Sequence, residues 1–116
     1  MIVGVQGTSS FHNYNIFLRS MAVALSEISS DDKKFTLYSA GPNNINMMAM
    51  EFVNLSEKGM KLRGKTIKLV KVSPNWLEKN VKHIDHFAFL SNPKEHVSKI
   101  VHVSKLNKIN TNVYTF

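Results

Sequence analysis

The stretch Met1–Asn15 limits what this chain can fold into more than any other. Ile2, Val3 and Val5 form a short apolar run of the kind a buried strand has, and the run breaks at Gly7 into Thr8, Ser9 and Ser10. From about Asn13 the apolar residues Ile16, Phe17, Met21, Val23, Ala24, Leu25 and Ile28 recur by threes and fours, the period of a helix buried on one side. Strand, glycine turn with hydroxyls, helix start: open α/β folds use this order to present backbone N–H groups and a helix N-terminus to an anion, usually a phosphate. The hydroxyls have a plainer role as helix caps, and a single glycine turn is a weak signal.

The pattern recurs along the chain. Ser29–Lys34 is a polar turn, and Phe35–Ser39 alternates like a second strand, ending at Ala40-Gly41-Pro42-Asn43-Asn44. A helix follows with Ile45, Met47, Met48, Ala49, Phe52, Val53 and Leu55 on its apolar side. Asn43 or Asn44 is its expected N-cap and Gly59 its expected stop. Thr66–Val72 reads as a third strand, and Ser73–Trp76 as a loop before a short helix from Leu77 to about Lys82. His83–Leu90 reads as a fourth strand. Ser91-Asn92-Pro93-Lys94-Glu95 then opens a fourth helix that buries Val97, Ile100, Val101, Val103 and Leu106, and residues 112–116 close the chain as a last strand. Five strands alternating with four helices predict one α/β domain over residues 1–116. Its expected form is a Rossmann-like three-layer αβα fold around a five-stranded, mainly parallel sheet.

Composition narrows the functional classes. No run approaches the roughly 20 apolar residues of a membrane span, and the first residues lack a secretory leader, so a cytoplasmic protein without a membrane partner is expected. With no cysteine there is no disulfide, thiolate metal site or cysteine nucleophile. A net charge of +7 favours anionic partners, although the basic residues are scattered and a solvated lysine surface explains most of that charge. Asn, Lys and Ile are abundant, as in AT-rich genomes, those of phages among them.

In parallel sheets of this class, ligands sit beyond the C-terminal strand ends where the strand order reverses. Three polar segments would line that rim: Gly7-Thr8-Ser9-Ser10, Ala40-Gly41-Pro42-Asn43-Asn44 and Ser91-Asn92-Pro93-Lys94. Phosphate binding there would use the amides and hydroxyls of Thr8, Ser9 and Ser10, the amides near Asn43 and Asn44, and the charge of Lys94. Asn44 and Asn46 carry paired donors and acceptors suited to a base or ribose edge, and Trp76 to stacking. Capping for Asn43 and Ser91, and packing for Trp76, are the structural alternatives.

The order of these features resembles the SLOG superfamily, the Rossmann-like domain of DNA-processing protein A and the lysine-decarboxylase-like LOG proteins, and most of all its small YspA/YpsA-related branch. Gly7-Thr8-Ser9 stands where that branch has a Gly-Ser turn. Ser39–Phe52 has its second glycine turn and following helix, Trp76 its tryptophan after the third strand, and Asp85–Phe89 its fourth-strand pattern. The resemblance spans nearly the whole chain and implies recognition of a nucleotide or nucleotide-derived ligand, with homo-oligomers common. Ser91–His96 lacks the family's glycine-rich loop, and the Pro-Gly-Gly-x-Gly-Thr-x-x-Glu segment of the enzymatic LOG proteins is absent. The expectation is therefore a binding protein with no catalytic residue assigned, for example a phage protein that sequesters a host nucleotide signal.

Two other classes compete with that expectation. Lys61, Arg63, Lys65, Lys68 and Lys71 with Trp76 would make a basic, stacking-capable strip for single-stranded nucleic acid. A nucleotide-processing hydrolase of N-glycosidase type would need a general base from Glu51, Asp85 or His12, none with a partner visible in sequence. The five histidines have poor spacing for a metal: on a strand, His83 and Asp85 share a face and His86 points the other way, while His96 and His102 lie six apart on a helix. Apolar positions near Phe87 and Tyr114 offer a dimer surface.

Overall fold

The computed structural model describes residues 1–29, 31–92, 94, 95 and 97–115. Expectations placed on Ser30, Pro93, His96 and Phe116 lie outside the described residues. In chain order the elements are β1 (Ile2–Gly7), α1 (Tyr14–Leu25), β2 (Lys34–Ser39), α2 (Asn43–Leu62), β3 (Thr66–Lys71), α3 (Pro74–Lys79), β4 (His86–Ser91), α4 (Lys99–Leu106) and β5 (Asn110–Thr115), with one 3₁₀ turn at Val81–His83. The strands form one sheet in the order β3-β2-β1-β4-β5, and every pairing is parallel. This is the α/β Rossmann-like architecture.

Two apolar layers hold it. Val3, Val5, Leu37, Ala88 and Leu90 of the sheet pack with Phe17 and Met21 of α1 and with Ile45, Ala49 and Phe52 of α2. On the other face Phe87 and Phe89 pack with Leu77 of α3, Val81, and Ile100 and Val101 of α4. Alternation along β1 explains the division, since successive side chains point to opposite faces. Val3 and Val5 meet α1 and α2, while Gly4, whose added Cβ would lie 3.2 Å from Ile84 and Leu77, faces α3. The chain runs outward from β1 through β2 to β3, then crosses back over the sheet to β4. Right-handed crossovers in opposite directions put the two helix pairs on opposite faces, and they place the reversal point between β1 and β4.

Several boundaries differ from the sequence expectation, each for a local reason. Helix α2 passes through Gly59, because Met60 beyond it is buried. It ends where Gly64 takes a positive φ of 71° and the Lys65 amide donates back to the Met60 carbonyl. Its N-cap is Pro42, whose carbonyl accepts from the Ile45 and Asn46 amides, so Asn43 and Asn44 fall in the first turn. The short helix starts at Pro74, earlier than expected, because Ser73 caps it through the Trp76 amide and proline suits the first helical position. His83 belongs to the 3₁₀ turn, so β4 begins at His86.

Helix α4 starts at Lys99, not near Ser91, because Ser98 caps it through the Ile100 amide at 3.2 Å. Val97 consequently lies outside the helix and is exposed, as is Leu106. Phe87 is fully buried under α3 and α4 and offers no dimer surface.

Gly7 is set by packing. A Cβ there would lie 2.6 Å from Cδ1 of Ile45 and 2.7 Å from the Leu90 carbonyl oxygen, which accepts the Thr8 N–H. Gly7→Ala is expected to lower the unfolding free energy by about 1–3 kcal/mol in urea titration. Ile45→Val in the same chain should restore only part of that loss, because the Leu90 carbonyl still obstructs.

Candidate ligand site between the first and fourth strands

Three segments far apart in sequence meet at the C-terminal rim. The Gly7 amide donates to the Gly41 carbonyl at 3.2 Å, and the Thr8 amide donates to the Leu90 carbonyl at 3.0 Å. Asn92 donates its backbone N–H to the Thr8 hydroxyl at 3.0 Å and its side-chain amide to the Ser10 hydroxyl at 2.7 Å. From the other side, the Asn44 side-chain amide donates to the carbonyls of Thr8 and Phe11 at 3.1 and 2.7 Å. The convergence expected of the rim is present. Most of the turn amides are not turned toward a guest, however: Gly7, Thr8, Phe11, Ile45, Asn46, Asn92, Lys94 and Glu95 all donate within the protein.

A crevice of about 420 Å³ opens at the reversal point, lined by Gln6, Gly7, Thr8, Phe89, Lys94, Glu95 and Ser98. That volume is near the lower end of the roughly 300–1,000 Å³ typical of small-molecule sites, enough for a mononucleotide-sized ligand. Gln6 is paired in register with Phe89 on the α3–α4 face, and its residue is 9% exposed. Its carboxamide oxygen is buried and has no hydrogen-bond donor. An orphaned buried acceptor costs about 1–3 kcal/mol, and the Ser104 hydroxyl is buried without a partner in the same way.

Beside the crevice, which Glu95 lines, the Ser10 hydroxyl donates to Glu95 Oε2 at 2.5 Å. That bond is the main cause holding the Glu95 carboxyl below the usual carboxylate range, with further contributions from the Thr8 hydroxyl and the Ser10 backbone N–H. Hydroxyl and amide donors of the first turn thus already engage an anion, and the anion is the protein's own.

The remaining sequence candidates divide between supporting and separate positions. Pro42 and Gly41 form the wall of backbone against which Gly7 rests, and Ser91 is buried at the end of β4. Ser9 is exposed beside Ser10. Asn46 accepts from the Ser39 hydroxyl at 2.5 Å, and Asn43 points to the Met47 sulfur at 3.7 Å. Trp76 lies across Tyr38, ring centroids 4.8 Å apart, beyond the β2 and β3 ends, so part of its stacking surface is already used.

A second cleft, of about 350 Å³, gathers His12, Tyr14, Asn43, Asn44, Met47, Met48 and Glu51 on the α1–α2 side. The Tyr14 hydroxyl is buried there without a partner. Desolvation, then the Glu51 charge, raise the Tyr14 pKa. A depression of about 500 Å³ lies at the opposite end of the sheet among Met1, Glu27, Asp32 and Asp85. Three carboxylates against one ammonium, that of Met1, which is already paired with Asp32, and the negative end of α1 make it a poor host for an anion.

Lys61, Arg63, Lys68, Lys71 and Trp76 of the basic strip are exposed on and beside the edge strand β3. Lys65 is tied to the Ser29 and Asp32 carbonyls, and six residues of β3 at about 3.3 Å each separate it from the end near Trp76. His86 is buried with Nδ1 3.3 Å from Glu27 and Nε2 3.5 Å from Asn112, while Asp85 accepts from the Ile2 amide. Among the described residues, no three His, Asp or Glu side chains are grouped to hold a metal ion. No helix of the described residues is long and apolar enough to cross a membrane. Compared with protein-family models, curated proteins and solved structures, the chain matches none, so the resemblance to the SLOG superfamily rests on sequence features alone.

Sequence reasoning missed Gln6, Glu95 and Ser98. Gln6 carried a usable signal, a carboxamide inside an otherwise apolar strand run; the partnership of Glu95 with Ser10, 85 residues apart, carried none. A carboxylate whose pKa is lowered on folding stabilises above its unfolded value, near 4.5, and loses that contribution as pH falls through the lower folded value. Glu95→Gln should therefore melt below the wild type at pH 7, and the two melting curves should converge as pH falls through and below the lowered folded value.

Proposed function

We propose that this protein binds a small anionic ligand of nucleotide type in the crevice between β1 and β4, as a receptor or sink for that ligand. The observation that carries the proposal is the buried, donorless carboxamide oxygen of Gln6 at a crevice on the reversal point of the sheet. A base offers what Gln6 needs, since a carboxamide pairs with an adjacent N–H donor and acceptor such as those of adenine. Lys94 lines the same crevice and would supply charge for a phosphoryl group. Phe89, next to Gln6, gives the crevice an apolar floor. The resemblance to the SLOG superfamily favours the same ligand class.

The test is a panel of nucleosides and of mono- and cyclic nucleotides, read by thermal shift and then by calorimetry. A binding nucleotide at 100 times its Kd raises the unfolding free energy by about 2.7 kcal/mol. Gln6→Leu separates ligand recognition from a structural role. The substitution should raise the stability of the unliganded protein by about 1 kcal/mol, since a desolvated orphan is removed, and should abolish the ligand-induced shift. A destabilised Gln6→Leu protein that still binds the ligand would contradict the proposal. Lys94→Ala should weaken binding about tenfold and flatten its salt dependence.

A further inference from the structure

The first turn resembles an anion site in every respect but one: it is already filled. Ser10 donates its hydroxyl to the Glu95 carboxylate at 2.5 Å, and Thr8 and Glu95 line the same crevice. Asn92 fixes both donors from behind, bonding Thr8 Oγ1 through its backbone and Ser10 Oγ through its side chain. Glu95 itself is exposed, and among the described residues no cation is bonded to it, so a carboxylate oxygen is held by a hydroxyl that another oxyanion can accept from as well. Gln6, whose buried carboxamide oxygen has no donor, lines the same crevice. One half of the crevice therefore satisfies its donors with an internal anion, and the other half leaves an acceptor unsatisfied.

We infer that Thr8 and Ser10 form an oxyanion subsite which the protein fills with its own Glu95 carboxylate, and that a ligand's phosphoryl group binds by exchange with it. The inference rests on the nucleotide reading for the identity of the ligand, but not for the existence of the subsite. Exchange has two consequences. The carboxylate must leave without a compensating cation, which makes apparent affinity lower than the donors alone would give. It also selects against weak oxyanions: a ligand must bring enough charge, or enough additional contact at Gln6 and Lys94, to displace a group held at very high effective concentration. A single phosphoryl group fits this arrangement, because the subsite supplies one cluster of donors and Lys94 is the one cation among the described residues of the crevice wall.

Inorganic phosphate is the probe, titrated into the whole protein at pH 7 and followed by ³¹P line broadening, with melting curves confirming that each variant is folded. Glu95→Ala should bind phosphate about tenfold more tightly than wild type. Ser10→Ala, added to Glu95→Ala, should return the affinity to the wild-type level or below. Equal phosphate affinity in wild type and Glu95→Ala overturns the subsite, as does a gain that Ser10→Ala leaves untouched. A nucleoside monophosphate titrated into the same proteins keeps the two ideas apart. Nucleotide binding that is indifferent to Glu95, with no phosphate gain, retains the ligand class and removes the exchange. A phosphate gain with no nucleotide binding does the reverse.

Discussion

The backbone hydrogen bonds that join the end of β1 to its two neighbours are the constraint on which the rest of the molecule depends. Gly7 donates sideways to Gly41 and Thr8 donates sideways to Leu90, so three chain segments are stitched within two residues. The stitch is feasible only because residue 7 has no side chain, Ile45 and the Leu90 carbonyl already occupying the space where a Cβ would stand. Once made, it places the Thr8 and Ser10 hydroxyls against the segment after β4 and leaves a crevice at the point where the sheet reverses direction. The same feature that suggested a phosphate turn in the sequence is thus explained first by packing. Its functional content comes from the side chains around it.

Those side chains are unequal in what they imply. Asn44, Asn46 and Asn92 are each engaged in bonds that fix loops to one another, and such bonds are the ordinary means by which polar loops over a rim become rigid. Gln6 and Glu95 are different. A buried acceptor without a donor departs from what stability alone would select, and it belongs to a residue that lines the same crevice as Glu95, the carboxylate held by the first turn. Departures from local consistency concentrate where a protein interacts with something else.

The fold was legible in the sequence because its signals are periodic and repeated. Five apolar runs alternating with helical patterns leave little besides a parallel sheet covered on both faces, and the crossover rule places the crevice. Boundaries were less legible where two local rules compete. Ser91-Asn92-Pro93 reads as a cap and a first helical turn, yet Ser98 is the cap that forms. Gly59 reads as a stop, yet the burial of Met60 carries α2 past it. At the site, loops that share a rim were legible from topology, but not which donors were already spent. The pairings of Ser10 with Glu95 and of Asn44 with Phe11 join residues that no periodicity connects. The histidine between Glu27 and Asn112 was hidden likewise, since β4 is buried along its whole length and starts three residues later than its pattern suggests.

The central claim is that a ligand enters beside Gln6 and not elsewhere on the rim. Its most direct test is a ¹H–¹⁵N correlation spectrum of the whole protein during titration with an adenine mononucleotide. The claim predicts that the Gln6 side-chain amide moves together with the backbone amides of Thr8, Ser10 and Lys94, while signals near Asn43, Met47 and Trp76 stay in place. Shifts confined to the cleft between α1 and α2, or a spectrum unchanged at saturating nucleotide, would contradict it.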